Sequence, residues 1–97
     1  MKLYGFWRSL AAYRVRIALK LKNVAYEEVS IDILTGKQFE ASYRKVNPQS
    51  LVPALDTGSG PALFESLAIC EYLDERFPTP PLLPTDAAQR AWVRGIA

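Results

Sequence analysis

Three runs of residues with two different periods fill the first 31 positions, and their order leaves few folds open. Lys2 to Phe6 is short and β-prone, and it leads through Trp7, Arg8 and Ser9 into Leu10 to Lys22, a stretch without Gly or Pro. Tyr26 to Ile31 follows, with Val29 and Ile31 alternating against Glu28 and Ser30. Strand, helix and strand in so short a span argue for a parallel pair joined by a right-handed crossover. Wound at about 100° per residue, Leu10, Ile17, Ala18 and Leu21 fall on one arc with Arg16 and Lys20 opposite, so that arc is expected to pack on the sheet. Lys20 and Lys22 read as solvated helix surface.

The remaining elements follow from punctuation. Asp32 to Asn47 turns polar, offers few apolar anchors and allows a helical turn or two around Gln38 to Arg44; it is expected to be a mobile surface segment. Val52 to Asp56 and Pro61 to Phe64 are short apolar runs joined by Thr57, Gly58, Ser59 and Gly60, a hairpin signal. Ser66 then opens a helix to about Phe77, with Ile69, Tyr72, Leu73 and Phe77 at core spacing. Pro78, Pro80, Pro81 and Pro84 forbid regular helix and give a semi-rigid linker. Asp86 and Gln89 stand as N-cap and N3 of a further helix, which carries Ala88, Trp92 and Val93 on one side and stops at Ala97 without a C-terminal signal. The expected organisation is an α/β domain over 1–77, a proline-rich linker over 78–85, and over 86–97 the first helix of an all-helical second domain, the chain being a fragment.

Composition narrows the chemistry. The chain has 97 residues, 49% apolar, enough for one domain with its own core. The net charge of +2 comes from acidic and basic residues interleaved along the chain, which points away from nucleic acid and membrane partners and toward a small polar ligand. The polar start, MKLYGFWRSL, and the lack of a long apolar run suggest a cytoplasmic setting. One cysteine and no histidine exclude an intramolecular disulfide, multi-cysteine metal sites and histidine base catalysis. Hydroxyls, backbone amides, arginine and a borrowed cofactor remain.

Three junctions could use them. Ser9 lies where a strand end feeds a helix N-terminus; its hydroxyl can donate to an anion such as a thiolate, or serve only as an N-cap. Pro53 opens a strand, and its bond to Val52 is either trans, as at an ordinary edge, or cis, which would present the Val52 amide and carbonyl to a peptide ligand. Glu65 and Ser66 at a helix start offer a carboxylate for an amino group and a hydroxyl for a carboxylate, or simply a cap preceded by a solvated acid. Cys70, between Ile69 and Leu73 and their apolar surroundings, reads as a buried inert thiol.

Taken together, these sites stand in the order and spacing of the glutathione site of the glutathione transferase family. Tyr13 to Leu19 (YRVRIAL), Asn47-Pro48, Val52 to Leu55 (VPAL), Glu65 to Ile69 (ESLAI), Glu71 to Leu73 (EYL), Pro78-Thr-Pro and Leu82-Leu-Pro84 carry the resemblance, which spans Met1 to Ala97 and is closest to the zeta class. The resemblance implies a thioredoxin-like βαβ-ββα three-layer domain with a mixed four-stranded sheet, plus the start of an all-α domain. It implies glutathione as cofactor, a small acidic electrophile as second substrate, a homodimer, and a glutathione-dependent cis–trans isomerase or transferase, with maleylacetoacetate isomerase ahead of maleylpyruvate isomerase. By the same resemblance Ser9 holds the thiolate and is the catalytic residue, Gln38 and Val52 contact the tripeptide, Pro53 is the cis proline presenting it, and Glu65 and Ser66 bind the γ-glutamyl end. Arg8 and Arg14 are candidates, on charge alone, for drawing in the acidic substrate. The sequence departs from zeta proteins where these follow the first serine with a second serine and a cysteine: Leu10 and Ala11 stand there. The 97-residue chain by itself is expected to bind glutathione without turnover, and its last helix, with Trp92, Val93 and Ile96 unpartnered, to fray or self-associate. A non-enzymatic interaction domain is the rival reading; a thiol oxidoreductase is set aside because no cysteine follows the first strand.

Overall fold

Alternation along the first strand decides which side of the sheet receives which helix. In the computed structural model, which describes residues 1–97, β1 (Lys2–Gly5) turns Leu3 into the core, and the neighbouring Tyr4 points to the opposite face. β1 pairs in parallel with β2 (Glu27–Ser30) across the crossover helix α1 (Leu10–Leu21), and antiparallel with β3 (Ala54–Asp56). β3 pairs antiparallel with β4 (Leu63–Phe64), so the sheet is mixed, with the order β2-β1-β3-β4. α3 (Ser66–Arg76) packs against α1. Leu3 and Leu55 from the sheet, Val15, Ala18 and Leu19 from α1, and Ile69 and Leu73 from α3 make one buried cluster. On the other face Tyr4 meets Tyr43 of α2 (Ala41–Arg44), ring centroids 5.8 Å apart. The result is the three-layer βαβ-ββα arrangement expected from the sequence.

The buried face of α1 is not the expected one. Ala12, Val15, Ala18 and Leu19 are buried, whereas Leu10, Ile17 and Leu21 are exposed, along with Tyr13. Only Ala18 of the expected arc faces the core. The reason is close approach: β1 and α1 come together at small residues, and a Cβ added to Gly5 would lie 3.2 Å from that of Ala12. A stripe of larger side chains would hold helix and strand too far apart.

Two further expectations are corrected. The 32–47 segment has an anchor after all, because Tyr43, following a 3-10 turn at Lys37–Phe39, is buried with its ring on Tyr4. Lys22 is no solvated surface residue. Its ammonium is fully enclosed, donates to Asp74 Oδ1 at 2.8 Å and to the carbonyl of Pro80, and so ties the end of α1 to α3 and to the proline segment. Asp74 Oδ1 also accepts from the Leu82 amide at 2.7 Å.

Pro78 to Pro84 runs without regular structure into α4 (Ala87–Ile96), whose N-cap Asp86 accepts from the Gln89 amide at 3.0 Å. Arg94 reaches back to Glu71 of α3, while Trp92 and Ile96 are exposed. No helix is long and apolar enough to cross a membrane.

Candidate functional site

The site forms where the loop before β3 meets the first turn of α3. Val52, Pro53, Glu65 and Ser66 line one cleft of about 200 Å³, together with Ala11, Asn47, Gln49 and Leu51. Two of the three junctions singled out in the sequence thus converge on one cavity.

The loop's shape comes from side chains that replace a ladder. Asn47 is almost wholly buried; its Oδ1 accepts from the Gln49 amide at 2.9 Å, an Asx-type turn, and its Nδ2 donates to the Leu51 carbonyl at 2.9 Å. The Tyr43 hydroxyl donates to the same carbonyl at 2.5 Å. Burial pushes the Tyr43 phenol up to about 12, with the Asn47 side chain pulling the other way, so it stays protonated and a donor across the physiological range. Tyr43→Phe is expected to lower stability by about 1 kcal/mol, because the Leu51 carbonyl keeps Asn47 as a partner. A urea unfolding curve checks it, and an unchanged midpoint would show that the phenol bond contributes nothing.

Beyond this loop the Val52–Pro53 bond is cis, as is Thr79–Pro80. Neither the amide nor the carbonyl of Val52 takes part in a turn, loop or cap hydrogen bond, and Val52 lies outside the sheet ladder. Val52, which lines the cleft, therefore carries an open backbone donor and acceptor. Opposite it, Glu65 has a left-handed backbone, φ 69°, which a non-glycine residue adopts at a cost of about 1–3 kcal/mol. Its carboxylate forms no ion pair within the chain. Ser66 is 7% exposed, and its Oγ accepts from Arg14 Nη1 at 2.5 Å.

Ser9 caps α1, with its Oγ accepting from the Ala12 amide at 3.1 Å. The cap uses only a lone pair, so the hydroxyl proton remains available to an acceptor beside the positive end of the helix. Ser9 does not itself line the cleft; Ala11, two residues on, does. Gln38 lies in the 3-10 turn, outside that lining. Its Nε2 makes a long 3.4 Å bond to the Ile33 carbonyl, and its Oε1 is buried without a partner. Arg8 stacks on the exposed ring of Trp7, 5.7 Å from its centroid, and Arg14 is directed to Ser66.

Cys70 faces a different cavity between α3, the proline segment and α4, and burial raises its thiol against the opposing charge of Arg14. The lining residues that the sequence reading did not assign to the site are Asn47, Gln49, Leu51 and Ala11. An Asn followed by Pro before a strand was the available signal for the turn that places the first three.

Known proteins match this chain closely. The family described as glutathione S-transferase, N-terminal domain, matches residues 3–81. Maleylpyruvate isomerase of Ralstonia sp is 50% identical over 97 residues, covering 100% of this chain and 45% of that protein. Glutathione S-transferase Z1 of Arabidopsis thaliana is 50% identical over 91 residues, covering 94% of this chain and 41% of that protein. Among solved structures, maleylacetoacetate isomerase from Methylobacterium extorquens AM1, with malonate and glutathione bound, superposes with a TM-score of 0.95 at 51% identity, covering 99% of this chain and 45% of that one. The chain thus spans less than half the length of these relatives. With its sheet order, its cleft and this match over residues 3–81, the chain belongs to the glutathione S-transferase family, of which it carries the N-terminal domain.

Proposed function

We propose that this chain is the glutathione-binding part of a glutathione-dependent cis–trans isomerase or transferase, of the maleylacetoacetate isomerase type. The observation that carries the reading is the make-up of a single cleft. It combines the open amide and carbonyl of Val52 with the unpaired carboxylate of Glu65 and the hydroxyl of Ser66. A tripeptide with a γ-glutamyl end presents the matching groups: a backbone to pair as an added strand, an amino group and a carboxylate.

Each residue then has a task. Val52 pairs with the peptide backbone, and Pro53, lacking an N–H, adds no competing donor at that edge. Glu65 receives the amino group, and Ser66 and the first amides of α3 receive the carboxylate. Gln38 is proposed to contact the tripeptide from outside this cleft. Ser9 donates its remaining proton to the sulfur, and with the α1 N-terminus it favours the thiolate over the thiol. Glutathione, held by Val52, Glu65, Ser66 and Gln38, would supply a thiolate nucleophile for the cis–trans isomerisation of a dicarboxylic β-diketo acid. Arg8 contributes positive charge toward such an acidic electrophile.

The relatives at 46–50% identity include maleylpyruvate and maleylacetoacetate isomerases alongside glutathione S-transferases Z1 and Z2, which supports the isomerase-or-transferase reading. The proposed setting is the cytoplasm and the proposed assembly a homodimer, supported by the exposure of Phe64 on β4 and Leu67 on the adjoining α3. The 97 residues by themselves are proposed to bind without turnover.

The test offers maleylacetoacetate and maleylpyruvate, with glutathione, to an active-length polypeptide containing this chain. Isomerisation of either substrate without net loss of glutathione is expected. Retention of glutathione with no turnover of any electrophile would leave only a binding module and contradict the enzymatic reading.

A further inference from the structure

We propose that Arg14 is a positioning residue that turns the Ser66 hydroxyl into a dedicated donor for the carboxylate of the γ-glutamyl end; this rests on the glutathione reading above. Arg14 Nη1 donates to Ser66 Oγ at 2.5 Å, across the seam between α1 and α3 and 52 residues apart in the chain. A guanidinium has five donors, no acceptor, and keeps its proton at any ordinary pH. Ser66 must therefore accept from it. The single hydroxyl proton is turned away from Arg14, and no acceptor within the chain takes it, since the only side-chain hydrogen bond of Ser66 is the one from Arg14. What lies on its free side is the cleft shared with Val52 and Glu65.

The choice of arginine matters. A Gln or a water in its place could either donate to Ser66 or accept from it, leaving the hydroxyl free to welcome an amide or ammonium as readily as a carboxylate. Arginine removes that freedom and polarises the O–H by charge, strengthening its donation to an anion. Glu65 is left unpaired in the process, because Arg14 takes no part in any ion pair. One residue of the Glu65-Ser66 pair thus remains a pure acceptor and the other becomes a pure donor. That polarity matches the amino and carboxylate groups of an α-amino acid end and would reject the reversed arrangement.

The test is a calorimetric titration of the chain and its Arg14→Met, Ser66→Ala and double variants with two ligands: glutathione, and γ-aminobutyryl-cysteinyl-glycine, which lacks only the γ-glutamyl carboxylate. Arg14→Met is expected to weaken glutathione about tenfold, the effect of about one charge-assisted hydrogen bond, and to leave the decarboxylated analogue within about twofold. In the Ser66→Ala background the same change is expected to cost less than about twofold. Equal weakening of both ligands would mean a merely structural role, and additive losses in the double variant would mean direct contact with the ligand; either overturns the proposal. If Arg14→Met fails to fold, Arg14→Gln carries the same comparison, with partial loss expected for glutathione alone. A wild-type chain that binds the analogue but shows no preference for glutathione contradicts the positioning role while leaving the tripeptide site intact. Binding of neither ligand overturns the glutathione reading with it.

Discussion

Asp74→Ala is expected to destabilise the chain by about 3–5 kcal/mol, a large part of the stability of a domain this size. The cost comes from what is left behind. Lys22 Nζ is fully enclosed and would keep only the Pro80 carbonyl, so a buried cation would lose its counter-charge. The Leu82 amide would lose its acceptor as well, loosening the proline segment. Replacing both members, Lys22→Met with Asp74→Leu, is expected to cost much less, because no charge remains to be solvated. Burial alone would raise the Asp74 carboxyl, but the Lys22 and Leu82 hydrogen bonds, the Lys22 charge and the nearby Leu83 amide together hold it below its ordinary value. A carboxyl depressed in the folded state stabilises above its unfolded pKa, near about 4, and that contribution is lost as pH falls through the lower folded value. Urea unfolding at pH 7 and across the acid range checks both parts. A loss below about 1 kcal/mol, or an acid limb unchanged by the substitution, would show the pair to be no more than a surface contact.

Ser9→Ala carries the second large effect, and it should separate into two measurements. Loss of the α1 cap is expected to lower stability by about 1 kcal/mol, since the Ala12 amide loses its partner. Loss of the hydrogen bond to a thiolate, worth about 1.5–3 kcal/mol, is expected to cut kcat/KM at neutral pH by about ten- to a hundredfold in an active-length polypeptide. The pH–rate profile tells the two apart. Its acid limb should move upward toward the pKa of a free thiol, about 8.5, because nothing but the helix end would then favour the thiolate. Ser9→Thr, which keeps the hydroxyl, should restore most of the rate. With Leu10 and Ala11 in the next two positions, no neighbouring hydroxyl or thiol can take over. An acid limb that stays in place would remove Ser9 from the chemistry and leave it a cap.

Local pattern made most of the fold legible. The two periods of the first 31 residues gave the parallel βαβ unit, Gly58 and Gly60 gave the hairpin, and Asp86 with Gln89 gave the start of α4. What failed needed information from far along the chain. α1 carries two apolar stripes; periodicity cannot choose between them, and the smaller side chains won because the strand lies so close. Lys22 looked like surface because its partner Asp74 is 52 residues away. The 32–47 segment reads as poorly anchored because the ring neighbour of Tyr43, Tyr4, and its hydroxyl acceptor, the Leu51 carbonyl, arrive only through folding. The site followed the same rule. Val52-Pro53 and Glu65-Ser66 are visible as separate candidates, but the cleft joining them depends on the Asn47 turn, and the bond from Arg14 to Ser66 spans two helices.

The central claim is that these 97 residues hold a glutathione site that favours the thiolate. The most direct measurement titrates the purified chain with glutathione by calorimetry and follows the ultraviolet absorbance of the bound thiolate as pH is raised. Saturable binding at one site per chain is predicted, with the bound thiol ionising at a lower pH than free glutathione. No heat of binding at millimolar ligand, or a bound thiol that ionises at the free value, would contradict the account.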